Sequence, residues 1–266
     1  MSNFSHLPTD WPPPGHLTTR QWLLERGQPR HALDNALKSG RLVAPARGLL
    51  TRPESPLTWQ GVTASLDRMS PHPVYVGGLS ALAQAGLGHY VARVTPIHLY
   101  SRTAPPGWLS RLPSNVAWHW HLTKRLWQDD TVLVQSSLRE QPQEGGWPWR
   151  MASPEQAILE VLLDVPGQVT FEHADNLMQG LSALSPRRLD ALLKVCRHVQ
   201  VKRLFFFFAD RHHYPWRQHL TPTDYDLGKG KRNIVTGGRL DKRYLITVPA
   251  AFHDERLFEE SFHGQE

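Results

Sequence analysis

The sequence predicts a two-domain α/β protein of mixed α+β type, with a winged helix-turn-helix over residues 1–55 and a larger mixed α+β domain over 56–266. Three observations carry this. Residues 18–51 run helix, turn, helix, basic hairpin. From residue 58 onward, capped helical stretches alternate with short runs of period-two hydrophobicity. The chain has 266 residues, 40% of them hydrophobic, which is enough for more than one core.

Taken in order, the first fifteen residues (MSNFSHLPTDWPPPG) contain Pro8 and Pro12, Pro13 and Pro14. Proline in a helix interior removes a donor and clashes with the preceding turn. Any leading helix is therefore confined to about residues 4–7, with Trp11 packing back on the small domain in its place. The segment lacks the basic and apolar regions of a secretory signal, so a cytoplasmic setting is the simplest expectation. Thr18 and Gln21 are spaced as a capping box that opens the first helix of the pair. Gly27 ends that helix, and Pro29 suits the first position of the next. There Ala32, Leu33, Ala36 and Leu37 share one face, while Arg30, His31, Asp34, Asn35 and Lys38 take the others. Gly40 stops the helix, and residues 41–51 read as two strands around Pro45 to Gly48, a wing with Arg47 at its tip.

Residues 52–56 (RPESP) read as a linker. The larger domain then predicts helices over 58–69 and 79–85, and strands over 74–76, 96–101, 115–122 and 131–135. Residues 141–148 form a Pro/Gly-rich connection. Ser153 followed by Pro154, and Ser185 followed by Pro186, are cap-then-proline helix starts. A helix over 172–183 lies between them. The run VKRLFFFFADR (201–211) predicts a buried helix, although a central strand fits a continuous apolar run as well. Strands over 232–236 and 244–248 close the domain.

Charge is concentrated in two places. Residues 18–52 hold seven Lys and Arg against two acids, and residues 196–243 hold eleven against four, within a chain of net charge +6. Such a balance favours an anionic partner, nucleic acid first. In the first region the order of helix, turn, helix and wing favours DNA over a solvated polar face, because Arg, Asn, Gln and Lys reach base edges while Thr, Arg and Lys clamp phosphates. In the second, Gly228-Lys229-Gly230-Lys231-Arg232 combines backbone freedom with cations, but lacks the spacing of a Walker loop. A solvated turn is its simplest role, with phosphate, nucleic acid or an acidic protein as possible partners.

Other chemistry finds little footing. His119 and His121 share one face of a strand, but no set with ligand spacing completes them, so no metal or cofactor is expected. Cys196 sits on an apolar helix face and reads as core. No nucleophile elbow or acid/base pair is evident, so the chain is not expected to be an enzyme. No apolar run approaches the length of a membrane span.

The succession VGGLSAL (76–82), IHLY (97–100), SPEQAILE (153–160), VKRLF (201–205), DLGKGKR (226–232) and YLITVP (244–249) after a winged helix resembles the AbiEi antitoxins of type IV toxin–antitoxin systems, which are associated with abortive phage infection. The resemblance spans nearly the whole chain. It implies a DNA-binding autorepressor and antitoxin. Its partners would be double-stranded operator DNA with inverted repeats and a nucleotidyltransferase-like toxin, countered without a stable complex. On that basis Gln28, Arg30, His31, Asn35 and Lys38 would read DNA, Thr19 and Arg20 would touch its backbone, and Arg47 would enter the minor groove. Lys202, Arg203, Lys229, Lys231 and Arg232 would form the antitoxin surface. Two other classes stay open: a ligand-responsive transcription factor with an apolar pocket, and a nucleic-acid-modifying enzyme targeted by the winged helix.

Overall fold

A computed structural model describes residues 11–87 and 96–253. The protein is mixed α+β and divides into two compact units. The first runs to Lys124 and resumes over Asp130–Ser153; the second comprises Arg125–Asp129 and the chain from Pro154 onward.

The first unit opens with β1 (Leu17–Thr19), α1 (Arg20–Glu25), α2 (Arg30–Lys38) and β2 (Leu49–Thr51). β1 and β2 pair antiparallel, with Leu17 opposite Thr51. The helix cap is displaced by one residue from the predicted box. Thr19, not Thr18, caps α1, its hydroxyl accepting from the Trp22 N–H at 3.1 Å, because Thr18 is fully buried in β1. Pro29 likewise stands just outside α2 as its cap residue. Gly27 and Gly40 adopt positive φ where the two helices end. The predicted wing is reduced: its first strand is a single bridge, Val43 to Thr51, on the edge of β2 opposite β1. The suggested helix near residues 4–7 lies outside the described residues. Trp11 is buried, in one cluster with Trp22, Leu23, Leu33, Ala36, Leu42 and Leu50.

The two strands that flank this helix pair join the core of the same unit's sheet. α3 (Trp59–Met69), β3 (Val74–Val76), α4 (Gly78–Gln84), β4 (Ile97–Ser101), β5 (Trp118–Leu122), β6 (Leu138–Gln141) and β7 (Trp149–Ala152) complete the unit. Their five strands form a mixed sheet of order β5-β4-β3-β7-β6. Leu17 and Leu49 lie in the same core as Val62, Leu66, Val76 and Leu99. Neighbouring Leu50 points the other way into the helix-pair cluster, as strand alternation requires. The compact units divide near residue 153.

The hydrophobic pattern does not anticipate β6 and β7, and residues 131–135 are not a strand. The chain takes a helical turn over Leu133–Ser137 first, and pairing against β7 starts only at Leu138. Local β propensity there yields to the turn needed to bring β6 alongside.

The second unit contains α5 (Pro154–Leu162), α6 (Phe171–Gly180), α7 (Pro186–Val195), α8 (Val199–His212), β8 (Arg239–Asp241) and β9 (Ile246–Val248). The phenylalanine run is helical, and Phe205, Phe206, Phe207 and Phe208 are all buried. The predicted strand at 232–236 reduces to a bridge between Arg232 and Ile246; β9 pairs with β8 instead. Among the described residues, no helix is long and apolar enough to cross a membrane.

Candidate nucleic-acid interface

α2 buries Leu33 and Ala36 and half-buries Ala32 and Leu37, leaving Arg30, His31, Asn35 and Lys38 exposed. A one-sided apolar stripe determines which side chains face outward. Arg47 is exposed in the turn before β2, where Gly48 has φ +80°. The Gly48 carbonyl accepts from the Arg20 N–H at 2.9 Å, tying that turn to the start of α1.

Three other expected contacts hold the fold. The Arg20 guanidinium is 2.6 Å from the Asp34 carboxylate and bridges α1 to α2. The Gln28 side-chain oxygen accepts from the Trp11 indole at 3.2 Å, pinning the N-terminal segment to the inter-helix turn. Thr19 spends its hydroxyl lone pair on the α1 cap. Of the expected DNA-contacting residues, the exposed ones are therefore those on α2 and Arg47 on its turn.

The second basic region separates into buried and exposed members. Lys202 and Arg203 are 4% and 2% exposed, which removes both from the expected antitoxin surface. They lie in the part of α8 from Val201 to Ala209, every residue of which is buried, so that stretch offers no face to a solvated cation. The Arg203 guanidinium donates to the carbonyls of Leu227 (2.7 Å), Gly228 (3.0 Å), Gly230 (2.7 Å) and Leu245 (3.1 Å). It is the internal scaffold of the glycine-lysine loop, and Lys229, Lys231 and Arg232 are exposed on that loop.

His98, which sequence reasoning missed, joins His119 and His121. β4 and β5 run parallel, with His98 beside His119 and Tyr100 beside His121. His98 Nδ1 lies 2.9 Å from His121 Nε2, and the Tyr100 and His121 rings stack at 4.5 Å. Burial first, then the neighbouring imidazoles of His121 and His119, lowers the His98 pKa to about 4. The signal was IHLY: a histidine alternating with apolar positions in a central strand must lie on the opposite face. Among the described residues, no group of three His, Cys, Asp or Glu is disposed to hold a metal. Burial pushes the Cys196 thiol up to about 11, which fits a core side chain. An open cleft of about 280 Å³ lies between α1 and the sheet, lined by Trp22, Met69, Trp108 and Trp120 among others, at the small end for ligand sites.

α2 thus presents an exposed basic face from within an α+β unit. Family models identify the class of protein. One described as a transcriptional regulator, AbiEi antitoxin N-terminal domain, matches residues 3–93. Another, described as a transcriptional regulator, AbiEi antitoxin of a type IV TA system, matches residues 95–249. The chain belongs to this family of AbiEi antitoxin transcriptional regulators. The crystal structure of the RV2827C protein from Mycobacterium tuberculosis is similar over 87% of this chain and 85% of that one, at 17% identity and a TM-score of 0.48. No curated protein matches the chain.

Proposed function

We propose that this chain represses its own operon by binding inverted repeats in double-stranded operator DNA, and that it separately counters a nucleotidyltransferase-like toxin without forming a stable complex. Residues 1–55 act as a winged-helix reader, and residues 56–266 carry the antitoxin activity. Both activities belong in the cytoplasm and consist of binding, with no bond-making step. The observation that carries the reading is the outer face of α2: Arg30, His31, Asn35 and Lys38 are exposed, while Leu33 and Ala36 fasten the helix from behind. Arg and Asn are the side chains that pair bidentately with guanine and adenine edges in the major groove. Arg47 reaches the minor groove from its turn; Arg20, Thr19 and Gln28 position the reader.

The test is binding of the purified full chain to the DNA upstream of its own gene. Arg30→Ala or Asn35→Ala is expected to cost about 1–3 kcal/mol and to relax sequence preference. Unchanged affinity and preference in both variants would reject α2 as the reader. For the antitoxin half, the exposed Lys229, Lys231 and Arg232 are the surface to reverse in charge. Full rescue from the toxin by a triple glutamate variant at normal protein levels would reject them.

A further inference from the structure

The loop over residues 226–232 has a polarity that its sequence does not reveal. Arg203 draws three of its carbonyls inward, those of Leu227, Gly228 and Gly230. In a trans peptide the N–H points opposite to the C=O of the same unit. The N–H groups of Gly228, Lys229 and Lys231 are therefore turned away from the guanidinium, toward the exposed side. The positive φ values of Gly228 (+65°) and Gly230 (+73°) allow this alternation. A side chain at Gly228 would also press on Val199 at 3.1 Å.

One of the outward N–H groups already holds an anion. Gly228 donates to the Asp226 carboxylate at 2.8 Å. Among the described residues, the N–H groups of Lys229 and Lys231 have no acceptor. Both are exposed, and the side chains of Lys229, Lys231 and Arg232 rise from the same few residues. Outward N–H groups without an acceptor can each donate to an anion that approaches the outer side of the loop. The cations add charge assistance for phosphate oxygens. The scaffold beneath is preorganised, because Arg203 is buried and its guanidinium is satisfied by the loop itself.

We infer that residues 227–232 form a phosphate-binding loop, in which the Lys229 and Lys231 N–H groups and the Lys229, Lys231 and Arg232 side chains take the oxygens of a phosphate group, carried by a free nucleotide or by a nucleic-acid backbone. The inference goes beyond repression and toxin neutralisation and does not depend on either. Asp226 acts as the competing internal anion, so its charge weakens the site.

The experiment uses the full chain and three probes: inorganic pyrophosphate, ATP, and a single-stranded oligoribonucleotide without terminal phosphates. Amide resonances and calorimetry provide the readouts. Pyrophosphate is expected to shift the Lys229 and Lys231 amide signals. Lys229→Glu with Lys231→Glu is expected to weaken its binding roughly tenfold or more, and Asp226→Asn to strengthen it about two- to threefold. These positions are exposed, so folding is preserved, as the unfolding transition will check. ATP acting at concentrations where the oligonucleotide does not assigns the site to a free nucleotide; the reverse assigns it to a backbone, with a steep salt dependence. Absence of shifts at Lys229 and Lys231 with all three probes overturns the proposal, as does binding that the double variant leaves unchanged.

Discussion

In α2, apolar residues return at helical spacing on one side, and the cations beside them stay in water. In α8, Lys202 and Arg203 stand next to Leu204 and four phenylalanines, and all seven are buried. The two helices contribute similarly to a charge count and use that charge in opposite ways. A guanidinium opposite a single apolar stripe can meet a partner. A guanidinium inside a helical stretch buried on all sides must find acceptors within the protein, and Arg203 finds four. Net charge therefore locates where cations are, while the width of the apolar face determines which of them remain available.

The largest break in that comparison is Arg203→Met. Loss of the guanidinium removes its hydrogen bonds to four carbonyls, of which that of Leu245 keeps the Arg232 N–H, and stability should fall by about 3 kcal/mol in denaturant unfolding. Lys229→Ala, on the loop that Arg203 holds, should stay within about 0.5 kcal/mol of the parent. Equal costs for the two would erase the distinction between scaffold and surface.

Buried histidines sharpen it next, since they are enclosed like Arg203 but neutral. The Trp147 N–H donates to His16 Nε2 at 3.1 Å, which assigns the ring proton to Nδ1, 2.9 Å from the Pro14 carbonyl. Burial, ahead of these backbone bonds, lowers the His16 pKa, and the His98 pKa lies near 4. Their folded-state values are below the unfolded one, so the unfolded chain binds more protons as pH falls. The stability they contribute is complete above about pH 6.5 and is lost as pH falls, for His98 toward pH 4 and on the order of 3 kcal/mol. Chemical denaturation across that window should show the fall, and His98→Gln should flatten it.

On the exposed side, Arg30→Ala should leave the unfolding midpoint unchanged while weakening operator binding by about 1–3 kcal/mol. Arg47→Ala should lower affinity and reduce the slope of its salt dependence by about one phosphate contact. The smallest effect belongs to Arg20. It is a partly exposed partner of Asp34, so Arg20→Ala should cost below about 1 kcal/mol of stability. A large loss of DNA affinity that Asp34→Ala does not reproduce would return Arg20 to the phosphate backbone.

Much of the architecture was legible. The helix pair, the glycine stops and the cap-then-proline starts of α5 and α7 follow from backbone chemistry that acts within a few residues. β6 and β7 were harder, because both are short and β7 is anchored to the sheet through β3, which is distant in sequence. The capping residue was displaced by one because strand pairing buried Thr18. At the interface, the exposed set on α2 follows from periodicity alone. The engagement of Gln28 by Trp11 and of Arg20 by Asp34 does not, since each contact depends on how separate segments meet.

The sequence by itself determined the helix pair, the buried stripe of α2, the concentration of positive charge and the order of blocks that marks the family, because each depends on spacing along the chain. Only the tertiary structure decided that β1 and β2 join the core of the first unit, that His98 meets His121, and that Arg203 turns inward beneath a loop whose N–H groups face out. Those outcomes rest on contacts between residues far apart in sequence, where pairing and burial override local preference.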